Sequence, residues 1–104
     1  MTVTITPAAQ PAATFEGVSL TALFDVLDEM TTDLGGTYVA LSTEASEVGD
    51  EERAAFWLEQ DARLGRWVMT VDPSSREAIL AAIDQVRTSR QVLAYATTPL
   101  GHVA

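Results

Sequence analysis

Cysteine and lysine are both missing from this chain, and histidine occurs once, at His102. Without cysteine there is no disulfide, no thiolate nucleophile and no thiolate metal site. A lone histidine among carboxylates is a poor metal set, and so near the end of the chain it does not make a Ser-His-Asp arrangement. The Glu-x-x-His pair of di-iron bundles is absent, as is the glycine-punctuated acidic loop that binds calcium. Gly35-Gly36 has no strand before it and no lysine after it, which excludes a phosphate loop. Apolar runs are short: none approaches the roughly 20 residues of a membrane span, and the N-terminus lacks the basic region and apolar core of a signal peptide. These absences predict a cytoplasmic protein that is not an enzyme, with no catalytic residue, metal or cofactor.

Basic charge is scarce and confined to one half. Residues 1–52 hold ten acidic residues and no basic one. Residues 53–104 hold all six arginines (Arg53, Arg63, Arg66, Arg76, Arg87 and Arg90) against Glu59, Asp61, Asp72, Glu77 and Asp84. The halves carry −10 and +1, which together make the net −9 of the chain. Such a chain repels nucleic acid and anionic lipid, so neither DNA, RNA nor a membrane is an expected direct partner. It suits another protein, one with a basic surface, or serves solubility alone.

At 104 residues and 47% apolar content, the chain is long enough for one packed domain. Large side chains recur at Leu20, Leu23, Phe24, Leu27, Met30, Leu34, Tyr38 and Leu41, with Ala45 completing the row. Spacings of 3, 4 and 7 predict one amphipathic helix from Ser19 to about Glu47. Ser19 is its N-cap and Val18 its staple residue. Leu20, Leu27, Leu34 and Leu41 form one heptad row of a coiled-coil-like seam, and Phe24, Thr31, Tyr38 and Ala45 the other. Gly35-Gly36 interrupts the pattern, and each glycine costs about 1 kcal/mol in a helix. The heptad phase continues through the pair, however. One helix is therefore expected, with Gly35 on the seam admitting a close neighbour and Gly36 outward; the alternative is two helices with a turn there.

Val48-Gly49 ends the first helix and Asp50 caps a second, from Glu51 to about Thr70. The short link predicts an antiparallel hairpin. The second helix carries a broad apolar arc, including Ala55, Trp57, Leu58, Leu64, Val68 and Met69, which predicts that it is the central helix with two neighbours. In Val71-Asp72-Pro73, Asp72 reads as N-cap and Pro73 as first residue of a third helix ending near Ala96. Ile79, Ile83, Val86 and Leu93 form its core row.

The expected fold is all-α: an antiparallel three-helix bundle with a long first helix and flexible termini. A flexible arm spans 1–17, the bundle 18–97 and a tail 98–104. Thr2 to Thr6 alternates, but no internal sheet offers it an edge. The first helix, about 42 Å long at 1.5 Å per residue, outruns the second; the third, returning antiparallel to the second, covers some of the excess, and what remains exposed suits a homodimer through helix 1.

Three groups of side chains are candidates for function. Asp61 falls within the apolar arc, where it needs a partner or a solvated edge; register against the third helix suggests Arg87. Glu44, Glu47, Glu51 and Glu52 form a solvated acidic tip. Phe56 and Trp67, eleven residues apart and beside Gln60 and Arg63, lie on one face, as binding hot spots do, or else pack as core. The expected partner-binding residues are Phe56, Arg63 and Trp67, with Asp25, Glu29 and Asp33 on the acidic face of helix 1. Small secreted helical hairpins carry a Trp-x-Gly turn and a C-terminal Tyr-x-x-x-Asp/Glu signal. Here Trp57 precedes Leu58-Glu59, Trp67 precedes Val68-Met69, and Pro99 stands four residues after Tyr95, so that likeness is not met. The expected function is that of a small acidic, non-catalytic protein-binding module: a regulator, adaptor, or inhibitor of the antitoxin kind. The alternative is an acidic mimic of nucleic acid seated in a basic groove of its partner.

Overall fold

The structure is a computed structural model that describes residues 15–96. Three helices make up the fold: α1 (Leu20–Glu47), α2 (Glu51–Val68) and α3 (Arg76–Ala96). They form the expected three-helix bundle, with α1 packed against both others and little direct contact between α2 and α3. The central helix is therefore α1, not the second. The broad arc of α2 misled because most of it faces water: Leu58 and Met69 are exposed, as are Ala55 and Ala62, and only Ala54 is fully buried.

Helix α1 runs unbroken through Gly35-Gly36. The Ser19 side chain accepts from the Ala22 N–H at 3.1 Å and caps its start. At its end Asp50 N–H donates to the Ala45 carbonyl at 2.8 Å and Gly49 N–H to Ser46 at 3.0 Å. That pattern is a Schellman turn, and it needs the left-handed φ of +82° that Gly49 supplies. Asp50 then accepts from the Arg53 N–H and caps α2, so two helices turn on three residues and must lie antiparallel.

Two sets of buried residues on α1 meet different neighbours. Leu23, Leu27 and Leu34 are fully buried in one cluster with Ile79, Ala82, Ile83 and Val86 of α3. Each of the leucine, isoleucine and valine side chains contributes about 1.5–3 kcal/mol, so the α1–α3 contact holds the fully buried core. Thr31, Gly35, Ser42 and Ala45 form a second buried row of small residues facing α2. Ser42 Oγ donates to the Ala54 carbonyl at 2.8 Å; Tyr38 stacks on Trp57; Gly35 meets Asp61. The seven residues back along α1 from Ser42 to Gly35 are matched by seven forward along α2 from Ala54 to Asp61, as antiparallel helices require.

The third helix starts three residues later than expected. Asp72 Oδ1 accepts from the Ser74 N–H at 2.9 Å and from Ser74 Oγ at 2.7 Å, closing a turn around Pro73. Ser75 is the cap, its Oγ accepting from the Ala78 N–H at 3.1 Å. The second helix ends at Val68, where Thr70 turns back, its N–H and hydroxyl both donating to the Trp67 carbonyl. Arg76 then donates to the carbonyls of Phe15 and Val18, fixing the start of α3 beside the start of α1. Phe15 packs on the core, so packed structure begins inside the stretch read as an arm. The remainder of that arm (1–14) and the tail 98–104 lie outside the described residues.

Helix α3 packs on the part of α1 that α2 leaves; along the seam Leu27, Thr31, Leu34 and Ala45 are buried within one chain, while Leu20, Phe24, Met30, Tyr38 and Leu41 stay partly exposed.

Candidate binding groove

Because α2 and α3 sit on adjacent faces of α1 and hardly touch, a groove of about 300 Å³ runs between them. Its floor is Leu34 and Tyr38 of α1. One wall is Gln60, Arg63, Leu64 and Trp67 of α2; the other is Gln85, Val86 and Ser89 of α3. Positions 60, 63 and 67 share one helical face, as do 85 and 89. Apolar and aromatic surface thus lies at the bottom, with amide, hydroxyl and guanidinium groups along the sides.

Trp67 is half-buried and packs against the core cluster while still lining the groove. Tyr38 is half-buried, and burial pushes its hydroxyl above the ordinary value of 10.0. Its ring stacks on Trp57, centroids 5.8 Å apart and planes 18° apart. Trp57 in turn meets the edge of Phe56 at 4.9 Å. An aromatic row therefore leads from the groove floor to the exposed ring of Phe56, which is 52% exposed.

Of the expected partner-binding residues, Arg63 and Trp67 come together in the groove. Phe56 does not join them; it lies beside Asp50, Glu52 and Arg53 at the hairpin tip. Eleven residues put two side chains on one face but about 16 Å apart along the axis. Asp25, Glu29 and Asp33 are exposed on the side of α1 turned away from the buried rows, and none of their side chains forms an ion pair among the described residues. Tyr38, Gln85 and Ser89 were missed as site residues. Tyr38 was assigned to the seam, and the 85/89 row stands out only once α3 is known to flank α1 and not α2.

The Asp61–Arg87 pair is not formed. Its register assumed an α2–α3 hairpin, whereas Asp61 faces α1. A Cβ placed on Gly35 would stand 2.6 Å from Asp61 Oδ1, and Asp61 is half-buried at the edge of that contact, where its carboxylate keeps a path to solvent. The ion pairs within 4 Å among the described residues are Arg53–Asp50 at 3.4 Å and Arg66–Glu59 at 3.2 Å, both exposed; neither adds much stability. Arg63 has no carboxylate partner.

No cluster of three histidine, cysteine or acidic residues able to hold a metal ion occurs among the described residues, and no helix there is long and apolar enough to cross a membrane. No family model, curated protein or solved structure matches this chain.

Proposed function

We propose that this is a small non-catalytic module of the cytoplasm that works by binding another protein, and that the groove between α2 and α3 is its docking surface. The observation that carries the reading is the half-buried pair of Tyr38 on the floor and Trp67 on the wall, between two helices that do not close over them. Open grooves with an aromatic anchor are where binding energy concentrates. A regulator, an adaptor and an inhibitor of the antitoxin kind would all use such a surface.

A second reading rests on a different observation. Asp25, Glu29 and Asp33 are all exposed on one side of α1, without arginine partners. A row of free carboxylates on a rigid helix resembles a phosphate backbone and would suit the basic groove of a nucleic-acid-binding partner. Binding of that kind collapses with salt, because exposed charges are screened within about 8 Å at physiological ionic strength.

Affinity capture from cells that make the protein separates the two. Three baits are compared after circular dichroism confirms their helicity: wild type, a groove-blocked Ser89→Trp/Arg63→Glu variant, and a back-face Asp25→Asn/Glu29→Gln/Asp33→Asn variant. A partner lost only with the groove variant supports the docking groove. A partner lost only with the back-face variant supports the mimic, and a partner retained by all three contradicts both.

A further inference from the structure

Resting on the docking groove just proposed, the chemistry of its lining specifies its occupant. We infer that the groove takes an amphipathic helical segment of a partner protein, one that inserts a large apolar side chain onto Trp67 and Tyr38 and sets a carboxylate against Arg63.

The helical form follows from the walls. Helices α2 and α3 pack on adjacent faces of α1 with little contact between them, and a rod laid between them would complete a four-helix arrangement with ordinary helix packing. The described residues hold no strand, so strand addition has no edge to use. An opening of about 300 Å³ accepts one large anchoring side chain, with neighbours at i+3, i+4 and i+7 running along the walls.

The carboxylate follows from charge. In a chain of net charge −9, none of the residues lining this groove is acidic, and Arg63 is its single charged group. Arg53 and Arg66 are engaged by neighbouring carboxylates and Arg76 by the carbonyls of Phe15 and Val18, but Arg63 is held by no partner. Its planar fork suits a carboxylate in bidentate fashion. The acidic row of α1 is a helix diameter away, near 10 Å. At physiological salt its repulsion is screened over that distance, while a pair half-enclosed by the groove is screened less. Gln60, Gln85 and Ser89 then supply neutral hydrogen bonds that fix register without setting sign.

The test is a display selection of 16-residue helix-forming peptides on the immobilised full chain. Selected peptides are then titrated by fluorescence anisotropy against wild type, Arg63→Glu, Ser89→Trp and the back-face triple variant, all checked by circular dichroism. The expected winners carry apolar residues at i, i+3 or i+4, and i+7 beside an Asp or Glu. They should weaken at least tenfold on Arg63→Glu and on Ser89→Trp, and hold on the back-face variant. Winners blocked by Ser89→Trp but free of acidic residues or indifferent to Arg63→Glu would overturn the carboxylate while leaving the groove as the docking surface. Basic winners lost on the back-face variant would overturn both, as would a selection with no winner.

Discussion

Gly35 and Gly36 are adjacent, in the same helix and of the same type, yet they should respond oppositely to alanine. Glycine costs a helix interior about 1 kcal/mol against alanine. At Gly36, which is exposed, an added Cβ meets nothing within 4 Å, so Gly36→Ala should recover nearly the full amount. In a domain of this size that is a rise in Tm of about 4–8 °C. At Gly35 the Cβ would stand 2.6 Å from Asp61 Oδ1, with Leu64 Cδ2 at 3.9 Å. The obstructing atom is the end of a half-exposed side chain, so Asp61 can rotate aside, at a cost of about 0.5–1.5 kcal/mol for a poor rotamer. The two terms nearly cancel, and Gly35→Ala should change stability by less than about 0.5 kcal/mol. In an Asp61→Ala background the obstruction is gone, and Gly35→Ala should then stabilise as Gly36→Ala does. Gly35→Leu should destabilise in either background, because the extra bulk reaches Leu64 and forces α1 and α2 apart. Urea unfolding followed at 222 nm measures all of these. Equal gains from the two single alanine variants, or additive behaviour of Gly35→Ala with Asp61→Ala, would refute the close contact of α1 and α2 at this point.

Other outcomes follow from the packing and the titrating groups. Ile83→Ala should cost about 2–5 kcal/mol because Ile83 is 2% exposed in the α1–α3 core, whereas Leu58→Ala on the open face of α2 should fall within about 0.5 kcal/mol; chemical denaturation distinguishes them. Ser75→Ala should cost about 0.5–2 kcal/mol as loss of the α3 cap. The effect of Asp72→Ala should depend on pH. Hydrogen bonds from Ser74 hold the Asp72 carboxyl below the usual 3.8, so its contribution is present above that value and is lost as pH falls through the lower folded one. Tyr38 behaves in the reverse sense: its folded value lies above 10.0, so the folded state keeps the proton longer. Its contribution is present below pH 10 and is lost as pH rises through the folded value. Tyr38→Phe should remove that alkaline loss in a denaturation series.

Helix existence and both helix ends at the first turn were readable in the sequence, because each has a local chemical cause. Ser19 and Asp50 are caps whose partners lie three residues away, and Gly49 is the left-handed residue of a turn closed within six. The continuity of α1 was readable because a heptad row preserves phase across Gly35-Gly36. The tighter role of Gly35 was readable from its place on the seam; the identity of the side chain pressed against it was not. What escaped was the assignment of neighbours. A broad apolar arc on α2 implies two contacts only if all of it is buried, and exposed Leu58 and Met69 carry no mark that sets them apart from core residues. The start of α3 escaped for a related reason. Asp72 and Ser75 are both good caps, and the hydroxyl and N–H of Ser74 draw Asp72 into a turn before it can cap a helix. The groove was half legible: Arg63 and Trp67 belong to one helical face, but Ser89 and Gln85 face them only because α3 returns along α1.

The most direct test of the docking groove is site-specific photocrosslinking in living cells. A benzoyl-phenylalanine side chain is placed at Ser89, inside the groove, in one strain and at Glu29, on the back of α1, in another. After irradiation the account predicts a discrete covalent adduct with a second protein from position 89 and none from position 29. Adducts from position 29 alone, or none from position 89 in cells where the bait captures a partner, would contradict it.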